Sequence, residues 1–217
     1  MLPTSIISAL SVIKLDVGHH VGIKREMPVG GAVLTATLQG SGVRFSLDSC
    51  ILRPSDPTDT LLLWLNRHLM REGVTITGYQ LDDAVALLDR LPGAQWSPVL
   101  RTLAGCGNQY VLDLSARLNG DPVTFQQACT HSQILCAPTD AGRRFASWMR
   151  SDVYDIQQDA QVDAIASFRL VIRRLAMLNP VARGVAGAMA GCFATWLEEA
   201  DCPAAKAHVA DLLFTAD

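Results

Sequence analysis

The chain opens with three runs rich in β-branched and apolar residues, "SVIKLDVG" (11–18), "GAVLTATLQG" (31–40) and "VRFSLDSCIL" (43–52), with "MPVGG" and "QGSG" around them. β-Branched side chains suit a pleated, half-buried surface, and the glycines and proline supply the turns that reverse a chain. This β-meander comes before any helix-forming segment. Later elements must therefore pack on a sheet already laid down, and a purely helical bundle is excluded.

The later order alternates. "RPSDPTDT" combines two prolines with Ser, Asp and Thr, and Asp59 or Thr60 can cap the helix "LLLWLNRHLMREG", closed by Gly73. "VTITG" reads as a short strand, and "LDDAVALLDRLPG" as a helix with apolar positions at 81, 85, 88 and 91 and a Pro-Gly stop. "QYVLDLSARLNG" offers a strand at 109–114 running into a polar turn, and "VTFQQACTHSQIL" a helix. Residues 143–175 are dominated by helix formers; "VDAIASFRLVIRRLAML" is the longest helical stretch, ended by Asn179-Pro180, and a helical pair at 184–199 and 204–214 follows. There is no repeat at a fixed period.

Strands first and strand–helix alternation afterwards predict an α/β domain, a mixed sheet flanked by helices. With 217 residues, 49% of them hydrophobic, we expect one domain: a core over about 11–178 and a helical C-terminal extension over 179–217. The formal net charge of −3 gives no large field for a polyanion, so any nucleic-acid contact must be local. Lys14 and Asp16 interrupt the opening apolar run, and the glycine-bearing helix near 185–197 is too short to cross a bilayer. No membrane segment is expected. Six cysteines (50, 106, 129, 136, 192 and 202) lack a CxxC pair and no leader pattern precedes them, which predicts a cytoplasmic protein with thiols rather than bridges.

Three acids far apart in sequence stand where chemistry would need them. Asp16 ends the first strand, Asp82 follows "VTITG" at a helix start, and Asp163 lies in the long helix within a stripe of Val162, Ile165 and Phe168. A nuclease using two metal ions about 4 Å apart needs carboxylates converging from separate segments in this way.

On these residues the chain resembles the DEDD-type 3′–5′ exonuclease superfamily of the ribonuclease H-like fold, most of all its predicted DNA-polymerase-B-type branch. "LDVG" falls at the first motif, "TGYQLDDAVALL" at the second and "DAQVDAIASFRLVIRR" at the third, in the right order. "LLLWLNRHLMREGVTITGY" resembles the approach to the second motif, and "YVLDLSARL" the segment with a further acid, here Asp113. The resemblance spans about residues 11–178. It implies a ribonuclease H-like mixed sheet flanked by helices. It also implies Mg²⁺ or Mn²⁺ bound through Asp16, Asp82 and Asp163, and hydrolysis of terminal phosphodiesters in single-stranded DNA or RNA. Asp159, a helical turn before Asp163, or a nearby His would serve as makeshift base.

The chain departs from the family pattern at three places. Gly18 stands where the family has Glu, Thr77 where it often has Asn, and Asp159 where it has the Tyr or His that orients water. A non-catalytic nucleic-acid-binding or protein-interaction module on the same fold is therefore the alternative expectation.

Each residue also has a structural reading. Asp16 can end a strand, and Asp82 and Asp83 can complement a helix dipole. His19 and His20 point to opposite faces of an extended segment, so at most one could join Asp16. Arg143, Arg144 and Arg150 before the third motif, and Arg169, Arg173 and Arg174 after it, can meet phosphates or form a solvated helix face. His131, Cys129 and Cys136 lack zinc spacing, and the four tryptophans are too scattered for a base-stacking platform.

Overall fold

In the computed structural model of the chain the residues described are 5–18, 23, 25–40, 42–118 and 120–214. His19 and His20 lie outside them. The meander forms as expected: β1 (Ile6–Asp16), β2 (Glu26–Gln39) and β3 (Gly42–Ile51) are consecutive antiparallel neighbours. Helix α1 (Asp59–Leu69) leads to β4 (Val74–Gly78), which pairs in parallel with β1. Helix α2 (Leu81–Leu88) and the short α3 (Pro98–Arg101) lead to β5 (Tyr110–Asp113), parallel to β4. The mixed five-stranded sheet has the order β3-β2-β1-β4-β5.

Past β5 a two-stranded hairpin, β6 (Arg117–Leu118) and β7 (Asp121–Pro122), occupies what reads in sequence as a polar turn. Helices α4 (Phe125–His131), α5 (Ala141–Met149), α6 (Tyr154–Leu178), α7 (Pro180–Glu199) and α8 (Pro203–Phe214) follow. Thr124 and Gln127 form a reciprocal capping box at α4, and Asp140 and Asn179 cap α5 and α7 through their side chains. The run 143–175 is two helices rather than one. The backbone breaks at Arg150–Val153, where Ser151 adopts a left-handed φ of 57°.

Alternating strand residues divide the core into two layers. Ala9, Ile13, Ala32 and Leu34 face α6, with Phe193 and Leu197 of α7 and Ala204 and Ala205 of α8 in the same cluster. Leu10 and Val33 face the opposite way, onto Leu61, Leu65 and Leu69 of α1 and Leu81 and Leu88 of α2. Phe45, Phe168 and Phe193 meet with ring centroids 5.0–5.7 Å apart, and burying each such ring stabilises the fold by about 1.5–3 kcal/mol. The C-terminal extension is thus part of the core. Among the described residues no helix is long and apolar enough to cross a membrane. All six cysteines carry free thiols, with Cys129 buried and Cys106 and Cys192 exposed.

Candidate functional site

A cleft of about 400 Å³ opens where β4 and β5 end beside β1. Leu10 of β1 pairs with Gly78, and Gly78 with Asp113, so both parallel strands stop while β1 continues. β1 has its antiparallel and parallel neighbours on opposite sides at this point, a topological switch of the kind where α/β sheets bind ligands. Ser11, Val12 and Lys14 form one wall, the segment Tyr79–Leu87 the other, and Phe125, Asp163 and Ser167 close the base.

Asp113 shapes this cleft. Its carboxylate accepts the backbone N–H groups of Gln80 at 3.1 Å, Leu81 at 3.0 Å and Ser115 at 2.7 Å. Gln80 sits in a left-handed conformation (φ 53°, ψ 53°), which is costly for a residue with a Cβ, and Asp113 holds it there at the head of α2. Tyr79 is fixed by donating its hydroxyl to the Val123 carbonyl at 2.7 Å and by packing on Phe125. On the rim, Lys14 pairs with Glu26 at 3.0 Å, and Arg90 donates to the Glu26 carbonyl at 3.0 Å.

Of the sequence-derived acids, Asp163 lines the cleft and Asp16, Asp82 and Asp159 do not. Asp163 lines the cleft: its Oδ1 accepts the Ala137 N–H at 2.8 Å. Burial pushes its carboxyl up to about 7 and nearby Asp159 adds to the rise, against the pull of the Ala137 N–H and Arg144. Asp83, not Asp82, is the α2 acid that lines the cleft, and both are exposed first-turn residues that favour the helix dipole. Asp16 stands opposite Glu26 at the end of β1, two residues past Lys14, and does not itself line the cleft. Its Oδ1 accepts the N–H groups of Gly18 at 3.1 Å and Arg25 at 3.0 Å, closing the passage from β1 to β2.

Asp159 is 5% exposed and held by two guanidiniums. Arg143 Nη2 reaches its two oxygens at 2.9 and 2.7 Å, and Arg144 Nε donates at 2.8 Å. With both oxygens engaged by guanidinium donors, Asp159 has the geometry of a structural anchor and not of a group open to water. Among the described residues no three His, Cys, Asp or Glu side chains come close enough to hold a metal ion. Asp163 lines the cleft and Asp16 and Asp82 do not, so these three acids do not fit Mg²⁺ or Mn²⁺ as a shared site.

Gly18 has its own explanation. A Cβ there would sit 1.8 Å from the Ile23 carbonyl oxygen, so the residue serves a close backbone approach. The arginines divide. Arg143 and Arg144 serve Asp159, Arg169 is paired with Asp211, and Arg173 donates to the Ser132 carbonyl. Lys14, a charge inside an apolar strand run, was the one visible sign of the cleft's rim. Glu26 and Arg90 belong to it only through tertiary pairing. Comparison with protein-family models, with curated proteins and with solved structures finds no match to this chain.

Proposed function

We propose that this chain is a ribonuclease H-like domain that binds a partner and does not cleave phosphodiesters. In support of the fold reading, a three-stranded antiparallel meander is extended by two parallel strands and crossed by a long helix. The observation that carries the functional reading is the composition of β1 along the cleft: Leu10, Ser11, Val12 and Lys14 line it, and the carboxylate of Asp16 is taken up by the N–H groups of Gly18 and Arg25. Without a carboxylate of the central strand in the cleft lining, a pair of cations lacks its clamp opposite Asp163.

The cleft also lacks the charge to follow a phosphate backbone. Lys14 and Arg90 are balanced by Glu26, Asp83 and Asp163. The test is release of nucleotides from 3′-labelled single-stranded DNA and RNA with Mg²⁺ or Mn²⁺, alongside melting curves with each metal. We expect no release and no metal-induced stabilisation. Metal-dependent release that disappears in Asp163→Ala would establish the 3′–5′ exonuclease reading instead.

A further inference from the structure

The C-terminal half of α6 separates two open apolar grooves. One, of about 490 Å³, lies toward α4 and the small hairpin, lined by Leu114 and Leu170, with the exposed Met177 at its edge and Arg117, Arg173 and Arg174 around it. The other, of about 550 Å³, lies toward α7, with Ile172, Ala176 and Ala190 on its floor and Arg173 and Arg183 at its edge. Neither is lined by a carboxylate among the described residues. Arg173 and Arg183 are steadied by backbone carbonyls, of Ser132 at 2.7 Å and Ala176 at 3.3 Å, so their charge is positioned but not cancelled. Arg117 and Arg174 have no carboxylate partner among the described residues.

The junction of α6 and α7 extends the apolar surface: Met177 is 70% exposed, Leu178 63%, Val181 79% and Val185 54%. A contiguous patch of this kind on a chain of net charge −3, ringed by arginines, is charge-complementary to an acidic ligand with an apolar body. The floors are aliphatic. The aromatic side chains at their margins are Tyr79, packed on Phe125, Phe193, 3% exposed, and a single exposed imidazole, His131, so the bases of a single strand would find no row of stacking faces.

We infer that these two grooves together dock an acidic, aliphatic segment of another protein. Its carboxylates meet Arg117, Arg173, Arg174 and Arg183, and its Leu, Ile or Met side chains enter the floors. Met177 supplies a side chain that adapts to differently shaped anchors. This deepens the binding-module reading by naming the partner's chemistry.

The experiment selects a displayed library of random twelve-residue peptides against the full chain, then titrates a synthetic representative by fluorescence anisotropy. The expected peptides intersperse Asp or Glu with Leu, Ile or Met. Their affinity should fall about tenfold or more in Arg117→Glu/Arg174→Glu, in Met177→Asp, and when salt rises from about 50 to about 300 mM. All three positions are exposed, so melting curves of the variants should match the parent. Four results overturn the inference: selected peptides without acidic bias, binding unchanged in the arginine variant, tighter binding of a twelve-nucleotide oligothymidylate that displaces the peptide, or a stable dimer whose formation blocks it. Nucleotide release is measured separately, so a failure of the non-catalytic reading leaves the peptide result standing, and the reverse also holds.

Discussion

Replacing Asp159 with Asn tests whether the acid before Asp163 is a structural anchor. The substitution keeps the shape and one accepting oxygen but removes the charge that two guanidiniums face. Arg144, with a side chain 12% exposed, is left without its counter-charge, whereas Arg143, 37% exposed, can turn toward Asp155, already 3.6 Å away. Removing one partner of a buried ion pair costs about 3–5 kcal/mol. Because Arg143 has an escape, the lower end applies, about 3 kcal/mol. For a chain of this size each kcal/mol is worth about 2–4 °C, so Asp159→Asn should melt about 6–12 °C below the parent.

Urea and thermal unfolding measure this directly, and a double variant sharpens it. Asp159→Leu/Arg144→Met removes both buried charges and should recover part of the loss, because no unpaired ion is then left behind. An Asp159→Asn variant melting within about 2 °C of the parent, or a double variant less stable than the sum of its singles, would refute the reasoning.

Three further outcomes follow from the same coordinates. Asp163 has its carboxyl raised from 3.8 to about 7, so it adds no penalty below pH 3.8, destabilises the fold increasingly up to about 7 and contributes a constant penalty above. Asp163→Asn should therefore be near neutral at pH 4 and stabilising by about 1–2 kcal/mol at pH 8, allowing for partial exposure, as read from urea midpoints. His208 is fully buried, with Nε2 against the Val162 carbonyl and Nδ1 facing Arg169, and burial foremost lowers it from 6.5 to about 4. Its contribution is present above pH 6.5 and lost as pH falls through about 4, so His208→Gln should flatten that part of the stability curve. Gly18→Glu should restore no metal-dependent nuclease activity and should lower stability by about 1–3 kcal/mol, because the new Cβ collides with the Ile23 carbonyl.

The meander, "VTITG" and the α6–α7 boundary were legible because β-branched runs, turn residues and Asn179-Pro180 act locally. The position of the acids was not. Register is a pairing between distant segments: β4 stops at the level of Leu10, and no pattern within 11–18 announces that Asp16 will overshoot it. Asp163 was legible, since an acid within an apolar stripe calls for an explanation, and it does line the cleft. The duty of Asp113 was hidden, because the amides it accepts lie more than thirty residues earlier. Arg143 and Arg144 read as solvent-facing or phosphate-binding for the same reason: their partner Asp159 belongs to the next helix.

The first three strands are completed by residues made much later. Ala9, Leu34 and Phe45 share a cluster with Phe193, Leu197, Ala204 and Ala205, more than 140 residues downstream. During synthesis α6 reaches this side of the meander first and the layer is completed only when α7 and α8 leave the ribosome, which is slow relative to local hairpin formation. A ribosome stalled before codon 193 would hold a sheet with this layer incomplete, a natural client for a chaperone that recognises aliphatic strands.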